Sequence, residues 1–231
     1  MGYHDELEKN GFIILRKVFT KNKIRDCREE IINYVKTRKT IKNSKGITIV
    51  DFVKDDYFKE TRKLKNKPKI VEVLEDIFQG TNYRFCSHND IGVNRVQGWH
   101  KDKLNGEVSK YETVDIWSSY QGEKHEIVKV LIYLEDHSKN NDGLILVPES
   151  HLKRDINTYG AISLHPKIGD VVIFDQRITH RGMERQVPYY RILVSFGFGK
   201  NNIFTDNFEK GTIARQNKKN NIDHTPPSLT I

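Results

Sequence analysis

Cysteine is nearly absent from this chain of 231 residues: Cys27 and Cys86 are the only two. Two thiols cannot build a disulfide framework or a cysteine zinc site, which points to a reducing compartment. Long apolar runs are missing as well. None approaches the roughly 20 residues that a bilayer-crossing helix needs. The opening MGYHDELEKNGF also lacks the basic-then-apolar order of a secretory signal. The expectation is a cytoplasmic protein. No internal repeat and no Pro-, Gly- or Ser-rich linker interrupts the chain before residue 200.

What is present is a polar but globular composition, 36% hydrophobic and 30% charged, long enough to bury a real core. The net charge of +8 invites a nucleic-acid reading. The lysines, however, are scattered among many asparagines and isoleucines, and no RNA- or DNA-binding module pattern accompanies them. Compositional drift explains that mixture better. An anionic small substrate is equally compatible with the charge.

GFIIL (11–15) reads as a buried strand. Thr20 can cap a helix to about Lys36, with Ile24, Cys27, Ile31 and Val35 on one face. ITIVDF (47–52) reads as a strand. Asn66-Lys67-Pro68 opens a second helix with the stripe Ile70, Leu74, Ile77, Phe78, and Gly80 closes it. After residue 82 the texture turns to short β-rich runs: YRFCS, IVKVLIYL, LILV, DVVIFD and RILVSFG. Helices first and strands after suggest an α+β fold, with helices packed outside a β-sandwich or barrel. One domain over 1–199 is expected, followed by a polar tail (200–231). In that tail Thr205 can cap a short helix through Ala214, and the residues beyond Lys218 have too little apolar surface to fold alone.

Within NRVQGWHKDKLNG, His100 and Asp102 are two apart, so in extended chain they share a face. QRITHRG supplies a third candidate ligand, His180, just after DVVIFD. Two histidines and one carboxylate form the facial triad of non-haem Fe(II) oxygenases, which leaves coordination positions open. His-x-Asp alone is weak evidence, because His88-Asn89-Asp90 is a second copy. On spacing alone a surface role for His100 stays open. Arg191 strengthens the metal reading: it opens an otherwise apolar strand eleven residues after His180. A planar guanidinium suits the distal carboxylate of a 2-oxo acid.

In IVKVLIYL, alternation puts Lys129, Leu131 and Tyr133 on one face and Val128, Val130 and Ile132 on the other. Lys129 either faces a cavity, where it can meet a cosubstrate or substrate carboxylate, or snorkels at a sheet edge. Gln97 is a further polar contact near the metal motif. The long connection 104–126 carries Trp117 and Tyr120, which either close over a substrate or fill a cluster beneath the loop.

The motifs together resemble the phytanoyl-CoA dioxygenase superfamily of Fe(II)/2-oxoglutarate oxygenases. EKNGFIILRKVFTKNKI is similar to its opening strand and helix, and WHKD to its first metal motif. VLIYLEDHSKNNDGLILVPESHLK resembles its central block, and GDVVIFDQRITHRG with Arg191 its distal motif. The resemblance runs from about residue 8 to residue 199. It implies a double-stranded β-helix (a cupin-like jelly roll), iron ligands at His100, Asp102 and His180, and 2-oxoglutarate anchored by Arg191. Trp99 falls where a companion of the first metal histidine stands, and His151 on a histidine that is not a ligand. His88 falls on the strand before the metal motif and drops out. Glu149 stands where a glycine is usual. Retention of Asp102 rather than a small residue favours hydroxylation or a related oxidation over halogenation.

The implied activity is a dioxygenase that consumes O₂ and 2-oxoglutarate, releases succinate and CO₂, and oxidises an unidentified small molecule. A nucleic-acid-directed oxygenase ranks lower, since the arginines at 181, 185 and 191 follow His180 too closely for the repair-enzyme pattern. A non-enzymatic metal-binding jelly roll is disfavoured because all four functional positions are intact.

Overall fold

The computed structural model describes residues 2–37, 46–80, 82–137, 143–182 and 190–223. In chain order these form α1 (Tyr3–Asn10), β1 (Phe12–Leu15), α2 (Lys21–Thr37), β2 (Ile47–Val50), α3 (Pro68–Ile77), β3 (Tyr83–Val93), β4 (Ile127–Tyr133), β5 (Leu144–Leu146), β6 (Ile162–Leu164), β7 (Val171–Asp175), β8 (His180–Gly182), β9 (Ile192–Lys200) and α4 (Ile203–Asp223). Six strands make one sheet in the order β1-β7-β4-β9-β3-β2, and three make a second, β6-β5-β8. Every strand pair is antiparallel. Two such sheets facing across an apolar core are the expected jelly roll, with helices outside.

The alternation in β4 explains the layering. All seven of its residues are buried, because this central strand is covered on both faces. Val128, Val130 and Ile132 face a large core shared with Ile24, Cys27 and Ile31 of α2 and Ile70 and Leu74 of α3. Leu131 and Tyr133 face inward, against Leu144 and Leu146 of β5 and Phe174 of β7. Burying a side chain of this size contributes roughly 1.5–3 kcal/mol. The helices therefore stabilise the sheet from outside and leave its inner face to build a site.

Local signals hold for the two expected helices. α2 buries Ile24, Cys27 and Ile31, and α3 begins at Pro68. A first helix, α1, precedes the expected strand; with only Leu7 buried, it offers little periodicity to read. Gly11 ends it in the left-handed region (φ 81), its N–H donating to Leu7 O at 2.7 Å. A Cβ at Gly11 would lie 2.5 Å from His151 Nδ1, so only glycine fits.

Two expectations change. The strand expected over 47–52 stops at Val50, since Asp51 turns left-handed (φ 54) and swings Phe52 into the core against Phe58 and Phe196. The C-terminal helix is longer than Thr205–Ala214: it runs from Ile203 to Asp223. Its cap is Asn202, whose Oδ1 accepts the N–H groups of Phe204 and Thr205 at 3.1 and 3.2 Å, while Thr205 itself is buried. Phe204 and Phe208 are buried too, so this helix packs on the sheet. The end of the tail, 224–231, lies outside the described residues, as does the Asn turn of the central block (138–142). Among the described residues no helix is long and apolar enough to cross a membrane.

Candidate metal centre

His100 and His180 meet because two chain segments pair across the mouth of the barrel. The His100 N–H donates to His180 O and the His180 N–H to His100 O, both at 3.0 Å. Two residues on, the Asp102 N–H donates to Gln176 O at 3.0 Å, and the Gln176 side-chain amide donates back to Asp102 O. The extended His100–Asp102 run is thus held at both ends, and its two side chains project to one side. His100 Nε2 lies 3.4 Å from Asp102 Oδ1, and His180 Nε2 lies 3.9 Å from Asp102 Oδ2. One ligand atom from each of the three residues falls within 4.8 Å of the others.

The far side of each ring shows which nitrogen is offered. His100 Nδ1 is 2.7 Å from Gly98 O, and His180 Nδ1 is 3.1 Å from Ile178 O. A carbonyl only accepts, so each Nδ1 carries the hydrogen and each Nε2 presents a lone pair towards Asp102. Histidine ligands are commonly oriented in this way. Burial lowers the His180 pKa to about 4, so the ring is neutral and ready to bind a cation. For Asp102, burial opposes the charge, and the Lys129 ammonium leads the neighbours that outweigh it and hold the carboxyl well below the usual carboxylate range. Two imidazoles beside one carboxylate fit a divalent transition metal.

Lys129 does face inward. It is 2% exposed, and its ammonium sits 3.8 Å from Asp102 Oδ2 and 5.0 Å from the centre of the Phe208 ring. It is absent from the walls of the adjoining cavity, so the carboxylate it meets is the protein's own. Burial lowers its pKa, with Asp102 acting in the opposite direction.

That cavity, of about 160 Å³, opens beside the triad. Gln97 and Arg191 line it, as the sequence led one to expect, with Leu131, Leu193 and Phe174 as apolar walls. Arg191 is buried; its N–H donates to Asn94 Oδ1 at 2.8 Å and its guanidinium to Arg95 O. Trp99 is half-buried, with the Arg181 guanidinium 5.3 Å from its ring centre. His151 lies in a 3-10 turn and bonds Glu8 O at 3.0 Å, away from the triad. No residue of 104–126 lines the cavity. Trp117 sits instead beside Lys101, Lys103 and Arg154.

Among the further cavity residues that escaped the sequence reading are His88, Asp90, Arg95, Ser195 and Arg215. The discarded second His-x-Asp copy forms a wall of the site. A bulge in β3, with Ser87 at φ 59 and a register shift between Phe85 and Asn89, turns His88 and Asp90 inward. Ser195 stands opposite Asp90 in register and shares the inward face with Arg191 and Leu193. Period-two alternation along RILVS could have found Ser195. Arg215 comes from α4 and has no local sequence signal. It binds both oxygens of Asp90, at 2.8 and 2.9 Å. Burial keeps His88 neutral, with its pKa lowered to about 3, and Lys129 adds to the shift.

The sequence model of the phytanoyl-CoA dioxygenase (PhyH) family matches residues 7–186, which includes the whole triad. The chain belongs to the phytanoyl-CoA dioxygenase family. Solved structures share the family member's fold at low identity. HygX from Streptomyces hygroscopicus, solved with nickel and 2-oxoglutarate bound, is 15% identical with a TM-score of 0.65, over 85% of this chain and 85% of that one. SnoN, a non-haem α-ketoglutarate-dependent epimerase from nogalamycin biosynthesis, is 14% identical with a TM-score of 0.67, over 86% and 81%. EctD from S. alaskensis, with 2-oxoglutarate and 5-hydroxyectoine, is 13% identical with a TM-score of 0.66, over 85% and 74%. No curated protein matches the sequence at a significant level.

Proposed function

We propose that this member of the phytanoyl-CoA dioxygenase family is an Fe(II)- and 2-oxoglutarate-dependent oxygenase that oxidises a small molecule. The observation that carries the reading is the convergence of His100 Nε2, Asp102 and His180 Nε2, with both Nδ1 atoms tied to carbonyl oxygens. Bound Fe(II), with 2-oxoglutarate and O₂, would supply oxidising chemistry that releases succinate and CO₂. The protein's part is positioning and polarity. His100, Asp102 and His180 hold the metal on one face. Lys129 keeps Asp102 ionised and fixed, so that it arrives as a carboxylate. Arg191 holds the distal carboxylate of 2-oxoglutarate through its planar fork. Leu131, Phe174 and Leu193 keep that end of the cavity dry, which strengthens each polar contact.

Hydroxylation is the proposed outcome, because Asp102 occupies the third ligand position. The fold also serves other outcomes, since SnoN is an epimerase and SnoK from the same pathway a carbocyclase.

An anaerobic titration of metal-free protein with Fe(II) and then 2-oxoglutarate tests the reading. The expected result is a visible charge-transfer band that weakens in both His100→Ala and Arg191→Ala. Bound iron without any band in the wild type would end the 2-oxoglutarate assignment.

A further inference from the structure

The cavity carries more positive charge than a metal and one cosubstrate account for. Of the cations at the site, Lys129 is offset by Asp102 at 3.8 Å. Arg215 is offset by Asp90 through two short bonds. Arg191 is committed to the distal carboxylate in the function proposed above. Arg95 is left over. It lines the cavity; among the described residues it acts electrostatically on Asp90, but Asp90 is already paired with Arg215 and forms no ion pair with Arg95.

Its placement is not that of a surface arginine. Arg95 follows β3 on the connection to the metal motif, and its backbone oxygen accepts from the Arg191 guanidinium. Its stem lies across Gly92: a Cβ there would sit 3.5 Å from Arg95 Cβ and 3.7 Å from Cδ. Gly92 itself lines the cavity, so the arginine crosses the cavity wall rather than leaving it. The same cavity is lined by Gln97, a neutral donor and acceptor, by Asp90, and by the apolar Leu144 and Leu193. A half-buried guanidinium that no carboxylate of the described residues pairs gains from an incoming anion, which it can bind through two parallel hydrogen bonds.

We propose that Arg95 anchors the acidic group, a carboxylate or phosphate, of a small primary substrate, which makes this an oxygenase of anionic small molecules. The proposal rests on the assignment of Arg191 and the triad to cosubstrate and metal. The net charge of +8 acts in the same direction, since it raises the local concentration of anions at the mouth.

The test uses full-length ¹⁵N-labelled protein loaded with Zn(II), a redox-silent ion, and saturating 2-oxoglutarate. Acetate, inorganic phosphate and neutral acetamide are titrated in turn while the backbone amides of Gly92 and Gln97 are followed by NMR. Acetate and phosphate are expected to shift them saturably, and acetamide not. Arg95→Gln is expected to weaken anion binding by about tenfold, the loss of one charge-assisted contact. Arg95→Lys, which keeps the charge, should retain most of it. The dissociation constant of 2-oxoglutarate should be unchanged in both variants. Equal binding of acetamide, or full anion affinity in Arg95→Gln, would overturn the proposal. So would a parallel loss of 2-oxoglutarate affinity, because Arg95 would then belong to the cosubstrate anchor. Failure of the wild type to take up Zn(II) and 2-oxoglutarate would count against the oxygenase reading alone. The same titration of metal-free wild type and Arg95→Gln would still decide for or against Arg95.

Discussion

Arg215, in the last helix, closes two guanidinium nitrogens on the two carboxylate oxygens of Asp90, at 2.8 and 2.9 Å. Residues 125 positions apart in the chain thereby share one wall of the cavity. Burial opposes the Asp90 charge, and Arg215 more than compensates, holding the carboxyl below its ordinary range.

Removing one partner of such a pair strands the other. Arg215→Met is expected to cost about 3–5 kcal/mol, because it leaves a buried carboxylate without its cation. The double variant Asp90→Asn/Arg215→Met should recover most of that loss. Urea unfolding of the three proteins measures the coupling, and additive losses would refute it.

Metal binding should appear as stability. A metal that binds only the folded chain adds about 2.7 kcal/mol at a hundredfold excess over its dissociation constant. Mn(II) is therefore expected to raise the melting temperature of the wild type. In His180→Ala and Asp102→Ala the rise should vanish. A rise that persists in both variants would place the metal elsewhere.

Glu135 gives the protein a pH dependence away from the His100–Asp102–His180 triad. Its carboxylate accepts from Arg28 Nε at 3.0 Å and from the Ile192 N–H at 2.7 Å, yet burial dominates and raises its pKa to about 7. A raised value means that the folded chain holds the proton more tightly than the unfolded chain, whose carboxyl titrates near 4.5. The resulting stabilisation is complete below about pH 4.5, is lost as pH rises through about 7, and is on the order of 3 kcal/mol in all. Glu135→Gln should flatten that part of the stability–pH curve. An unchanged slope between pH 5 and 7, read by denaturant unfolding, would show that Glu135 titrates normally.

Gly197 keeps His88 in place. A Cβ at this position would meet Cys86 Sγ at 2.8 Å and His88 Cβ at 2.9 Å. Gly197→Ala is therefore expected to cost about 1–3 kcal/mol through overpacking. It should also push His88 along the cavity wall, which a crystal structure of the variant would show directly. An unmoved His88 with wild-type stability would contradict the tight fit.

Much of the site was legible because its signals are local. His100 and Asp102 need only an extended backbone to share a face, and that geometry is set over three residues. Arg191 and Lys129 stood out as charges within apolar strands, where burial without a partner is costly. What Lys129 meets could not be read this way. Its partner proved to be Asp102, a contact made across the barrel rather than along a strand. His88 was set aside for a related reason. The bulge that turns it inward depends on Ser87 adopting φ 59, with its hydroxyl donating to Glu209 of α4 at 2.6 Å.

By itself, then, the sequence determined the layers and the three residues that converge at the candidate site. Alternation in β4 and the helical stripes Ile24–Cys27–Ile31 and Ile70–Leu74–Ile77 are short-range patterns, and burial of apolar area follows them. Only the tertiary structure decided that α4 contributes Arg215 to the cavity, that the long connection adds no residue to its wall, and that Arg95 forms no ion pair among the described residues. Each of these depends on which charges end up within a few ångströms of each other. Packing decides that between distant segments, and no spacing within one segment encodes it.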